Sequence, residues 1–157
     1  MITVTRIDDR LIHGQVATQW VTSADINKIY IVDDETADDE FSTMVCKGLA
    51  PLRTEVFVLH TNEAVETLKQ VEKDNSIRGL VITKTPGPLL KLAENGIKFR
   101  RIVVGGMGKR DDRKVITRTV QASDSEIEEM KKLVESGIEV VWQIVPSDKS
   151  VSITKLI

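Results

Sequence analysis

Apolar positions along this chain recur in two alternating rhythms. Short β-branched runs are separated by longer stretches with helical spacing, the pattern of a mainly parallel sheet covered by helices. Ile2 to Ile7 predicts a first strand, and Gly14 to Thr22 a helix with Val16, Trp20 and Val21 on its inner face. Ile26 to Val32 predicts a second strand that ends in Asp33-Asp34-Glu35. A helix follows from Asp38 to Leu49, stopped by Pro51. Glu55 to Leu59 predicts a third strand, and the segment from Thr61 or Asn62 to Lys73 a helix buried through Ala64, Val65, Leu68 and Val71. Gly79 to Thr83 predicts a fourth strand, and Pro86 to Glu94 a short helix opened by proline and closed by Asn95-Gly96. Arg101 to Val104 predicts a fifth strand, before the turn Gly105-Gly106-Met107-Gly108.

The rhythm then changes. Val115 to Val120 predicts a strand and Ser123 to Glu135 a helix, the clearest in the chain. Ser123 and Glu126 have capping-box spacing, acids fill the first turns, and Gly137 suits the C-terminal cap. Ile138 to Val145 predicts a last long strand and Val151 to Ile157 a short terminal element. The expected class is α/β, an open twisted, mainly parallel sheet with helices on both faces. The closely spaced strands around residues 102 to 120 predict an antiparallel edge. No repeat, low-complexity tract or long linker divides the chain, so residues 1–157 read as one domain.

Composition narrows the classes. With 41% apolar and 29% charged residues the chain has the usual globular mix, and a formal charge of −2 argues against a dedicated nucleic-acid binder. Cys46 is the only cysteine, so no internal disulfide forms, and its apolar surroundings predict a buried thiol. No apolar run approaches the ~20 residues that span a bilayer. The start Met1-Ile2-Thr3-Val4 opens directly into a strand pattern, without the features of a signal peptide. The expectation is a cytoplasmic protein.

Candidate chemistry centres on His13, in the loop between the first strand and the first helix. Loops at the carboxyl ends of strands form the ligand crevice of open α/β sheets. The free N–H groups and partial positive charge at a helix start favour a phosphate there. Arg10 is within reach if the loop curls, and its planar fork can make two charge-assisted bonds to phosphate oxygens. Gly14 lets the backbone approach closely, and with Gln15 it forms the expected phosphate-binding helix start. Asp8 is read as orienting the imidazole or holding an arginine, a task assigned also to Arg6. An imidazole is a competent nucleophile without metal or cofactor, and none of either is expected. Spacing alone leaves the ordinary reading open: a solvated histidine beside a surface ion pair worth under about 1 kcal/mol.

Other segments carry weaker signals. Gly105-Gly106-Met107-Gly108-Lys109 lacks the third glycine of a dinucleotide loop and the Gly-Lys-Ser/Thr ending of a P-loop. It reads as a tight turn, or as one wall of the His13 site. The hydroxyls of Thr83-Lys84-Thr85 either donate to a bound phosphate or form a polar strand end. The acids at 33–35 and 38–40 fit helix dipoles better than a metal site, and no metal site is expected. His60 reads as structural or exposed. The basic clusters Arg100-Arg101 and Lys109-Arg110 with Arg113 and Lys114 read as solvated faces, or as aids to docking a phosphorylated partner.

The run Arg6-Ile7-Asp8-Asp9-Arg10-Leu11-Ile12-His13-Gly14-Gln15-Val16, continued by Ala17-Thr18-Gln19-Trp20, resembles the active-site signature of IIB components of the mannose/fructose/sorbose family of the bacterial sugar phosphotransferase system. Ile102-Val103-Val104-Gly105-Gly106-Met107 resembles that family's second recognisable segment. The resemblance implies a protein-histidine phosphotransferase. On that resemblance His13 is expected to accept a phosphoryl group from a phosphohistidine on a IIA subunit or domain, and Arg10 to steady the phosphate; the family's choice of Nδ1 is not written in the sequence. The group then passes to a hexose or amino sugar carried by the membrane subunits IIC and IID, so the protein is expected at the membrane transporter as a peripheral partner. Which sugar is not legible. The alternative is a receiver-like signalling domain phosphorylated on aspartate. Asp8 and Asp9 after the first strand, with Thr83 and Lys84 after the fourth, imitate one, but the third strand ends in His60-Thr61 with no acceptor aspartate.

Overall fold

The β-branched runs lie side by side in the computed structural model, which describes residues 1–157. In chain order the elements are β1 (Ile2–Asp8), α1 (Gly14–Ser23), β2 (Lys28–Val32), α2 (Asp34–Asp38), α3 (Glu40–Gly48) and β3 (Glu55–Leu59). There follow α4 (Thr61–Lys73), β4 (Gly79–Thr83), α5 (Pro86–Glu94) and β5 (Arg101–Gly106). The chain closes with β6 (Lys114–Val115), β7 (Gln121–Ala122), α6 (Asp124–Glu135), β8 (Glu139–Trp142), β9 (Val151–Ser152) and a 3-10 turn at Ile153–Lys155. Seven strands form one sheet in the order β3-β2-β4-β1-β5-β8-β9, parallel throughout except for β9, which runs antiparallel to β8.

Alternation along the strands divides the apolar side chains between two faces. On one face Val81, Val104 and Val140 meet Leu68 of α4, Leu89 of α5 and Met130 of α6. On the other, Ile29, Ile31 and Ile82 meet Ala17 and Val21 of α1 and Cys46 of α3. Helices therefore cover both faces, as the parallel pattern requires.

Several expectations need correction. The helix expected over Asp38 to Leu49 is α3, and a short helix that the pattern did not predict, α2, precedes it; Asp39 takes extended backbone between the two, and its carboxylate caps α3 by accepting from the Phe41 N–H. The strand expected over Val115 to Val120 shrinks to a two-residue antiparallel ladder between β6 and β7, apart from the main sheet. The main sheet's antiparallel edge lies at β9 instead, paired with the end of β8. The strand predicted to run on to Val145 stops at Trp142, where the chain turns.

The topology creates a crevice at the carboxyl ends of strands β1 and β5. From β1 the chain crosses by way of α1 to the β2 side of the sheet, while from β5 it crosses by way of α6 to β8 on the other side. Neighbouring strands whose connections leave in opposite directions open a gap between them, the usual ligand position in such sheets. That gap lies between the ends of β1 and β5.

Candidate functional site

The register of β1 against β5 slips where the crevice opens. Ile7 pairs with Val104 and Asp8 with Gly106, so Gly105 is an unpaired bulge residue. A Cβ there would meet the guanidinium of Arg6, whose Nη2 would stand 1.9 Å away. Glycine is thus required by the close approach of a buried cation.

Arg6 is buried beneath the loop. It donates to Asp8 Oδ2 at 3.3 Å and to the Gln143 carbonyl at 3.1 Å, and lies 5.4 Å over the ring of Trp20. Burial pulls its pKa below the ordinary arginine value, and the adjacent Asp8 carboxylate opposes that shift. The pair is compensated: a buried carboxylate and a buried guanidinium each satisfy the other's charge.

Asp8, whose side chain is wholly buried, is the hub. Oδ1 accepts from the backbone N–H of Arg10 at 3.1 Å and lies 3.6 Å from Arg10 Nε. Oδ2 is 3.0 Å from Nε2 of His13 as well as bonded to Arg6. The loop therefore curls as the spacing of Arg10 and His13 requires. Asp8, Arg6, Arg10 and His13 come together around one carboxylate.

Local backbone holds the curl. The Leu11 N–H donates to the Asp8 carbonyl at 2.9 Å, and Leu11 adopts φ 58, a region that non-glycine residues enter at a cost. Burial of Leu11 and Ile12 in the α1-side core offsets that cost. His13 is the N-terminal cap residue of α1, extended at φ −148, with its side chain 21% exposed. Gly14 follows at φ 44, and both Gly14 and Gln15 are exposed at the helix start, beside the imidazole in sequence. The Arg10 side chain is 64% exposed, tethered by its Nε side and free to reach outward.

A second network braces the loop from the β5 side. Asp9 accepts from the Gly108 N–H at 2.6 Å, and its own N–H donates to the Gly106 carbonyl. Arg113 lies 3.8 Å from Asp9, donates to the Gly108 carbonyl and makes two bonds to Glu126 at 2.8 and 2.7 Å. Burial acts to raise the Glu126 pKa, but the Arg113 and Ser123 hydrogen bonds outweigh it and hold the group below its ordinary range. Asp9, Arg113 and Glu126 were not among the predicted site residues, whereas Gly105 belongs to the segment read as a tight turn or a wall of the site. The glycine pair at the end of β5 carried a sequence signal, whereas the Arg113–Glu126 link spans elements and carried none.

The other candidates stand elsewhere or are already engaged. The Thr83 hydroxyl donates to the Thr85 carbonyl, and Lys84 pairs with Asp33 at 3.2 Å. Asp33 and Asp39 cap α2 and α3, and Asp34 accepts from the Thr61 N–H. His60 stands at the start of α4, bridging Asp38 and Glu63, with its pKa raised to about 9 by those two hydrogen bonds. The receiver-like alternative has no acceptor: Asp8 is buried in the hub, and no aspartate ends β3.

The arrangement suits a nucleophilic imidazole. A buried carboxylate on one ring nitrogen fixes the ring, a helix start adds N–H donors, and an exposed guanidinium stands on the solvent side.

Comparison with known proteins points to one family. The family model described as "PTS system sorbose subfamily IIB component" matches residues 2–157. The sorbose-specific EIIB component of Klebsiella pneumoniae is 31% identical over 152 residues, which cover 97% of this chain and 92% of that protein. The mannose-specific EIIAB component of Escherichia coli K12 is 31% identical over 157 residues, all of this chain but 48% of that protein. The chain thus spans about half the length of that relative. The crystal structure of the IIBSor domain of the Klebsiella pneumoniae sorbose permease superimposes with a TM-score of 0.94 at 30% identity, covering 99% of this chain and 94% of that one.

Proposed function

Because this chain belongs to the sorbose subfamily of IIB components of the phosphotransferase system, we propose that it carries a phosphoryl group on His13 during sugar uptake, from a phosphorylated IIA subunit or domain to a sugar. The observation that carries this reading is the 3.0 Å contact between His13 Nε2 and the buried Asp8 carboxylate, on a ring that still faces solvent.

A carboxylate only accepts, so in the neutral ring the proton sits on Nε2 and the lone pair on Nδ1. Nδ1 attacks the phosphorus of the donor's phosphohistidine, the donor's P–N bond breaks, and its electron pair returns to the donor ring. The positive charge that develops on the His13 ring is met by Asp8. Arg10 and the free N–H groups at the start of α1, around Gly14 and Gln15, balance the charge of the phosphoryl oxygens, since the transfer asks mainly for positioning and electrostatics. In the second step a sugar hydroxyl attacks phosphorus and gives its proton to solvent, while the P–N bond breaks and its electron pair returns to Nδ1 of His13.

No helix is long and apolar enough to cross a membrane. The reading therefore places the sugar on separate IIC and IID membrane subunits, with this chain as their peripheral partner.

The test is incubation with a phosphorylated IIA, then mass mapping of the label and its stability in alkali and acid. An N–P bond on His13 survives alkali and breaks in acid. Stoichiometric label in His13→Ala, or an alkali-labile acyl phosphate, sinks the proposal.

A further inference from the structure

Helix α3 turns its apolar side chains away from the rest of the chain. Cys46 is its one buried residue, whereas Phe41 and Met44 are 67% and 63% exposed and Val45 and Leu49 are exposed beside them. Spacings of three, four and eight residues set these on one helix face. Leu52, 94% exposed, lies just beyond the helix end. Together they leave on the order of 500 Å² of apolar surface in water, large for the biggest patch of a monomer.

Charge is arranged along the same stripe. Glu40 stands at the start of α3 and Lys47 in its last turn. Two helical turns apart, they share one flank of the apolar face. Neither forms an ion pair within the chain.

We propose that this face binds a second copy of the chain, with two α3 helices packed antiparallel across a twofold axis. A twofold contact presents the same patch from both sides. With the axis near Met44, the stripes bury each other, and Glu40 of each copy faces Lys47 of the other on the same flank. In a parallel arrangement these same-flank residues stand on opposite sides of the seam and cannot pair, so the charge pattern selects the antiparallel one. Gly48 has open space where a side chain would be, leaving bare backbone for the second copy's Phe41. The area fits too: a standard interface takes roughly 800 Å² from each partner, about 60% of it apolar. This inference does not rest on the relay assigned to His13.

Sedimentation equilibrium of the full chain, from micromolar to millimolar concentration, tests the proposal. The expected result is a reversible dimer whose dissociation constant rises at least about tenfold in Met44→Glu. Glu40→Lys and Lys47→Glu should each weaken it, and the double variant should recover affinity because both cross-copy pairs are re-formed with sign reversed. All these positions are exposed, so circular dichroism should show unchanged folding. A monomer at every concentration overturns the proposal, including one whose α3 face takes up a different protein. So does a dimer indifferent to Met44→Glu, or a double variant no better than its parents.

Discussion

A Cβ atom on Gly105 would stand 1.9 Å from Nη2 of Arg6. The bulge in β5 and the cation from β1 are thus one feature, and it reaches the candidate site through contact. Arg6 holds Asp8, and Asp8 holds the ring of His13. A group that sets the position of a reacting side chain from behind is itself fixed by packing and charge.

Gly105→Ala is expected to lower stability by about 1–3 kcal/mol, the cost of overpacking where the neighbour has no room to give. Arg6 is buried and bonded on two sides, so it cannot swing away cheaply. Urea unfolding reads the change, and an unaltered midpoint would contradict the packing argument.

Asp8→Asn keeps the shape and reverses the hydrogen-bond polarity. The amide can donate to Nε2 and move the ring proton to Nδ1, which then lacks its lone pair. Single-turnover phosphorylation should slow by at least about 10²-fold, as when a wrong tautomer is held in a triad. Stability should fall by about 3 kcal/mol, because Arg6 is left buried without its counter-charge. Transfer at the wild-type rate would remove Asp8 from its orienting role.

Arg10→Ala separates chemistry from folding. The side chain is largely exposed, so stability should change by less than about 0.5 kcal/mol. Transfer should slow by about 10²-fold through loss of one preorganised donor, and Arg10→Lys should recover only part, since an ammonium lacks the planar fork. Equal rates in rapid-quench measurements on all three proteins would rule the role out.

His60 makes stability depend on pH. Hydrogen bonds to Asp38 and Glu63 raise its pKa from 6.5 to about 9. A raised folded-state value means the contribution is complete below pH 6.5 and is lost as pH rises through about 9. Thermal melts of wild type and His60→Gln should therefore differ most at the acidic end of that window and converge above it. A gap that stays constant with pH would disprove the linkage.

Much of the architecture was legible because its signals are local. β3, β4, α4 and α5 have the bounds that periodicity predicts, each bracketed by a cap, a proline or a polar turn. Helix α2 was missed because its five residues are mostly polar and only Thr36 is buried, so no apolar stripe marks it. The strand expected at Val115 to Val120 failed for a different reason: a strand exists only where another lies beside it, and here only a two-residue ladder forms.

By itself the chain determined its element order, the loop that bears His13, and the kinship written in the run from Arg6 to Trp20. Local propensity and side-chain chemistry act over a few residues and can be read from a string. Tertiary structure alone decided that Asp8 takes both His13 and Arg6, that Gly105 makes room for a guanidinium, and that Arg113 on Glu126 braces Asp9. Those are contacts between elements, made by the register of β1 on β5 and the burial of charge between them. No spacing along one chain encodes which opposite charges will meet once water is excluded.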